Sequence, residues 1–158
     1  MKKIILTAVT ALLTTFVAPL ASAQAAQPIE LKSQVLLDKV VVESGHEKHV
    51  MVEPKVVVPG DKLIFATAYR NTGSAAVGNF VVTNPIPTGV ALAQDAPAMV
   101  DVSVDGGKTW GKLAQLTVAG PGGVKRAAQN GDVTHIRWTL ASVAPGASGT
   151  LTYRGVVR

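Results

Sequence analysis

The chain has 158 residues, with 15 Lys and Arg against 10 Asp and Glu, a net charge of +5 and no cysteine. The lack of cysteine excludes disulfides, a lipid-modified cysteine at a processing site, thiolate metal centres and cysteine nucleophiles. Beyond Lys2-Lys3 the cations are spread from Lys32 to Arg158 with only Lys125-Arg126 adjacent. That lacks the clustered, aromatic-interleaved footprint of a nucleic-acid-binding surface.

Lys2 and Lys3 open the chain, an uncharged apolar run from Ile4 to Leu20 follows, and Ala21-Ser22-Ala23 supplies small residues at signal-peptidase spacing. Residues 1–23 read as a secretory signal peptide cleaved after Ala23, with Ala25 as the alternative site. A membrane anchor needs roughly 20 predominantly apolar residues, and Thr7, Thr10, Thr14, Thr15 and Pro19 dilute this run. The sequence therefore predicts a periplasmic or extracellular protein with no membrane span after cleavage. The remaining 13 Lys and Arg then face 10 Asp and Glu, a net charge of +3. Residues 24–28 form a small, polar, flexible leader, and 29–158 suit one β-sandwich domain.

Past the leader the pattern is β throughout. Val35 to Val42 is rich in branched apolar residues, Glu43 to Lys48 is a polar turn, and His49 to Val52 is β-prone again. Pro54 interrupts, Val56-Val57-Val58 follows, and Pro59-Gly60-Asp61 turns the chain. Leu63, Phe65, Thr67 and Tyr69 then alternate with Ile64, Ala66, Ala68 and Arg70, the period of two that marks a strand. Phe80 to Thr83 is the next strand, closed by two prolines in Asn84-Pro85-Ile86-Pro87. Ala91 to Ala98 reads as a loop. Val100, Val102 and Val104 alternate with Asp101, Ser103 and Asp105; Leu113 to Val118, His135 to Leu140 and Gly149 to Val157 complete eight or nine short strands. No helix of adequate length is expected, and the pattern suggests an all-β, immunoglobulin-like two-sheet sandwich.

Val58-Pro59-Gly60-Asp61, Tyr69, Asn71-Thr72-Gly73-Ser74, Val81-Val82-Thr83-Asn84 and Ile86-Pro87-Thr88-Gly89-Val90 resemble the bacterial envelope repeat called domain of unknown function eleven. The resemblance covers about residues 53–92 closely and the rest, to Arg158, by general pattern. It implies an immunoglobulin-type module of secreted or surface proteins and brings no catalytic residue. Asn84 stands where that family commonly has Asp, and a single module is present. Ser103-Val104-Asp105-Gly106-Gly107-Lys108-Thr109-Trp110 resembles the Asp-box pattern S-x-D-x-G-x-T-W. That motif implies a structural hairpin built on Ser103, Asp105, Gly107, Thr109 and Trp110. Its carboxylate and hydroxyls bond turn amides, and its Trp packs beneath.

Three side chains are candidate metal ligands. His46, His49 and Met51 fall in one short segment, and alternation puts His49 and Met51 on one strand face, a soft pair suited to copper. The competing reading places His46 in a solvated turn and Met51 in the core, with Lys48 opposing a cation, so no metal or other cofactor is expected. Hydrolytic chemistry would have to draw on His135 with Asp132, or on Asp95, Asp101 and Asp105, and no strained nucleophile turn accompanies them. A glycan would want an exposed aromatic platform, and the mature chain has only Phe65, Tyr69, Phe80, Trp110, Trp138 and Tyr153. The sequence thus favours a non-catalytic envelope or extracellular module with a structural or protein-interaction role. The alternatives are a carbohydrate-binding module, or a periplasmic copper protein using His49 and Met51. The partner is an envelope protein or a glycan, not nucleic acid.

Overall fold

A computed structural model of the chain describes residues 28–95 and 100–158. The signal-peptide reading, its cleavage site and leader residues 24–27 lie outside the described residues. Ten strands are present: β1 (Ile29–Glu43), β2 (His46–Val52), β3 (Lys62–Asn71), β4 (Val77–Pro85), β5 (Val90–Leu92), β6 (Asp101–Ser103), β7 (Thr117–Ala119), β8 (Lys125–Ala127), β9 (His135–Val143) and β10 (Ser148–Val157). The chain is all-β. Its helical pieces, Leu113–Gln115, Pro121–Gly123 and Asn130–Asp132, are single 3-10 turns. Among the described residues no helix is long and apolar enough to cross a membrane.

The strands form antiparallel sheets in the orders β2-β1-β3-β10-β5, β4-β9-β6 and β7-β8. Leu63, Phe65, Val90, Leu92 and Tyr153 of the five-stranded sheet bury in one cluster with Val100, Val102, Val133 and Ile136. Two sheets therefore enclose one core. The period of two in β3 explains its inner row: Leu63, Phe65 and Thr67 are buried, while on the other face Lys62, Ala68 and Arg70 are exposed and only Ala66 is buried.

The second sheet is two strands narrower than the first, and side-chain contacts show where its cover ends. Asn84 of β4 donates to the Thr67 hydroxyl of β3 at 2.8 Å. Trp138 of β9 meets Tyr153 of β10 with ring centroids 6.1 Å apart. The apolar residues of β5 and β6 share the core. Sheet two thus covers β3, β10 and β5, leaving β2 and most of β1 as an overhang, with Ile29 buried and Leu37 packed against the core.

Several expectations change at this level. The first strand is not Val35 to Val42 but runs from Ile29, because Ile29 to Asp38 pair with Asn71 to Lys62 in unbroken register. The polar turn is not Glu43 to Lys48 but the two residues Ser44-Gly45, with φ of 53° and 81°. Both central residues at positive φ is the twist-matched geometry of a two-residue hairpin. His46 consequently belongs to a strand and pairs with Glu43. Ala91 and Leu92, read by sequence as the start of a loop to Ala98, belong to strand β5, residues 96–98 of that loop lie outside the described residues, and Leu113–Gln115 is a 3-10 turn where a strand was expected.

Candidate functional site

The overhang is built by β1, which changes partner along its length. From Ile29 to Asp38 one edge pairs with β3, and from Leu37 to Glu43 the opposite edge pairs with β2. Leu31, Ser33 and Val35 share the face that buries Phe65 and Thr67, yet all three are exposed, Leu31 by 50%. Of sheet two only the end of β4 comes near, where Asn84 and Pro85 line one cavity with Ser33 and Val35. Eight of the ten large exposed hydrophobic side chains among the described residues lie between Leu31 and Val58, with Val42 71% and Val56 79% exposed. By register Leu31 and Val35 stand on the inner face, Val40, Val42 and Met51 on the outer face, and Val56 to Val58 follow β2 in a loop, so this end of the sheet exposes apolar area on both sides.

On the outer face of the same sheet lies a cleft of about 640 Å³ lined by Asp38, His49, Met51, Lys62, Asp95 and Arg154, among others. The two-residue turn sets this arrangement, because Asp38 pairs with Met51 and Val40 with His49. Asp38 therefore sits diagonal to His49, and its Oδ1 lies 2.7 Å from the His49 Nδ1. His49 and Met51 share this face, whereas His46 belongs to the opposite row of β2. The candidate trio is split two and one. Among the described residues no group of three or more His, Asp or Glu is arranged to hold a metal ion.

The loop from Ser103 to Trp110 is closed by the Val102–Gly111 bridge. Asp105 Oδ1 accepts the amides of Lys108 (3.1 Å) and Thr109 (2.9 Å), and Oδ2 accepts the Thr109 hydroxyl at 2.7 Å. The Ser103 hydroxyl donates to Asp105 Oδ1 at 2.7 Å and accepts the Gly107 amide at 2.9 Å. The Thr109 amide and hydroxyl, then Ser103, hold the Asp105 carboxyl far below the usual carboxylate range. Gly107, at φ 87°, passes its carbonyl to the Trp110 Nε1–H at 2.9 Å. Trp110 is half-buried, with the Arg137 guanidinium 4.4 Å from its ring centroid. Every acceptor on Asp105 faces into the loop, so the arrangement spends its chemistry on folding the turn.

The acid–base candidates are separately engaged. Asp132 makes a bidentate pair with Arg126 at 2.6 and 2.7 Å and accepts the Gln129 amide, so it does not orient His135. His135 Nδ1 lies 3.1 Å from the Thr134 hydroxyl. Asp101 is held between Lys112 (3.1 Å) and Arg137 (3.2 Å), which keep its carboxyl below the usual range. Asp95 pairs with Arg154 at 2.6 Å. None of the six aromatic side chains weighed as a sugar platform is exposed: Phe65 and Tyr153 are buried, and Tyr69, Phe80, Trp110 and Trp138 are half-buried.

No protein-family model, curated protein or solved structure matches this chain. The site stands on its own geometry. Sequence reasoning missed Leu31 and Asp38, although Ile29-Glu30-Leu31-Lys32 already alternates and the Ser44-Gly45 dipeptide fixes the β1–β2 register.

Proposed function

We propose that this protein is an exported, non-catalytic immunoglobulin-like module that docks an envelope or extracellular protein through the β1–β2 overhang. The observation that carries the reading is the concentration of exposed apolar side chains on β1, β2 and the loop after them: Leu31 and Val35 on the inner face, Val40, Val42 and Met51 on the outer face, and Val56 to Val58 in the loop. The signal-peptide pattern of residues 1–23 supports export, and the resemblance of residues 53–92 to the envelope repeat supports the module type. The Asp-box-like loop serves as a structural clasp at the far side of the sandwich, and no cofactor is required.

The test is site-specific photocrosslinking in the native envelope. A crosslinker at Leu31, Val42 or Met51 should capture one defined partner, and one at Val81, exposed on the second sheet, should not. Equal or absent capture at both sets of positions overturns the reading.

A second reading draws on the His49–Met51 face, where Asp38 fixes the imidazole by its Nδ1 and leaves Nε2 for a soft cation. Lys62 and Arg154 line the same cleft and oppose a cation. Calorimetric titration with Cu(I) decides it. One ion per chain, lost in both His49→Ala and Met51→Ala, supports the copper reading, and no binding ends it.

A further inference from the structure

The outer edge of β1 is paired only from Leu37 onward, where β2 begins at Val52. From Ile29 to Leu36 that edge has no neighbour among the described residues, so eight residues present a row of backbone donors and acceptors to solvent. Proteins guard such an edge with proline, a bulge, charged side chains or an inward-pointing charge. Here the charges are Glu30 and Lys32, of opposite sign and on the outer face, and Pro28 precedes the strand. There is no proline from Ile29 to Glu43, the register with β3 is unbroken over ten pairs, and the inward row is Ile29, Leu31, Ser33 and Val35.

Resting on the reading of the overhang as a docking surface, we propose that a second copy of this chain occupies the edge. It lies antiparallel to the first, about a twofold axis through Leu31. The charge pattern selects this register. A twofold normal to the sheet sets inward residues against inward ones. Centred on Leu31, it places Glu30 opposite Lys32 of the second copy twice, with Leu31 against Leu31 and Ile29 against Ser33. Centred on Lys32, it sets Lys32 against itself, and like charges directly opposite are destabilising. Centred on Ser33, it leaves Glu30 opposite Leu36 and Lys32 opposite Gln34, with no charge pair. The two five-stranded sheets then join into one continuous ten-stranded sheet through Ile29 to Ser33 of each copy. In the monomer Lys32 stands opposite Ala68 of β3.

The test uses protein expressed from the whole sequence. Sedimentation equilibrium from about 1 to about 500 µM, the range of weak to moderate association, should show a monomer–dimer equilibrium. Lys32→Glu should raise the dissociation constant about tenfold or more, because two attractive crossings become repulsive. Glu30→Lys should do the same, and mixing the two variants should restore dimers, since opposite signs then meet at both crossings. Thermal midpoints in dilute solution establish that both variants fold. The chain has no native cysteine, so Leu31→Cys should give a disulfide-linked dimer on mild oxidation, its Cβ lying about 5 Å from its mate. Ser33→Cys should not. A monomer at all concentrations, dimers indifferent to both charge changes, or preferential crosslinking at position 33 would each overturn the proposal. If the chain is monomeric while the Leu31 photocrosslink to a different protein persists, self-pairing falls and the docking reading stands.

Discussion

Phe65 and Tyr153 sit directly opposite each other in the β3–β10 pair, their rings stacked with centroids 4.6 Å apart and planes 3° from parallel. The Tyr153 hydroxyl donates to the Pro85 carbonyl at 3.2 Å, tying sheet one to the end of β4. Burial pushes this phenol up to about 12, while in the unfolded chain it ionises near 10. Its contribution to stability is therefore complete below about pH 10 and is lost as pH rises toward 12. Denaturation of the wild type should become markedly easier across that interval. Tyr153→Phe should flatten the loss at a cost of about 1 kcal/mol at neutral pH. Identical alkaline profiles for the two proteins would count against the argument.

The Ser103–Trp110 loop should behave as a folding element. Ser103 is fully buried and organises two loop amides. Ser103→Ala should cost about 1–3 kcal/mol in denaturant titrations. Trp110→Ala removes a half-buried ring and its stacking on Arg137, about 2–3 kcal/mol. Asp105→Ala should lower the thermal midpoint at pH 7. That difference should shrink as pH falls below about 4, because a depressed carboxyl stabilises only while ionised. Capture of the docking partner by the still-folded mutants should match wild type.

Asn71 is fully buried at the end of β3. Its Nδ2 donates to the Ala75 and Val143 carbonyls, each at 2.9 Å, and its Oδ1 accepts the Gly73 amide at 2.9 Å. One side chain thus shapes the 71–75 turn and fastens it to the end of β9. Asn71→Ala should cost about 2–4 kcal/mol, since it strands buried groups. Asn71→Asp should be no better, because a carboxylate there faces two carbonyls. A near-neutral Asn71→Ala in chemical denaturation would refute the role.

Asp132 is held down to about 2 by Arg126 first and by the Gln129 amide second. Its folded pKa is depressed, so its contribution is present above about pH 4 and is lost as pH falls through 2. The gap in thermal midpoint between wild type and Asp132→Asn should be largest near neutrality and close across that acid window. A constant gap from pH 7 to pH 2 would show that the pair with Arg126 does not set it.

The strands that read well from sequence are those with uninterrupted alternation, β3 above all, where Leu63, Phe65 and Thr67 form the inner row. The first half of β1 was obscured by Lys32-Ser33-Gln34, whose polarity resembles a leader although its period is that of a strand. β7 and β8 are three residues each around Gly120-Pro121-Gly122-Gly123, too short for any period to show. At the loop, Ser103, Asp105 and Thr109 are close in sequence, so the hydrogen bonds among them are local. The pairing of His49 with Asp38 depends on cross-strand register, and one residue of error in the turn moves the partner to the other face.

The position of β10 fixes the order in which this molecule can be completed. It lies between β3 and β5 in the wider sheet and supplies Tyr153 to the core, yet it follows the other nine strands in chain order. A polypeptide emerging N-terminus first can close the β1–β2 hairpin from neighbouring residues, but its wider sheet stays in two pieces until Ser148–Val157 arrives. The wider sheet is therefore completed by a long-range pairing, which forms more slowly than the local β1–β2 hairpin.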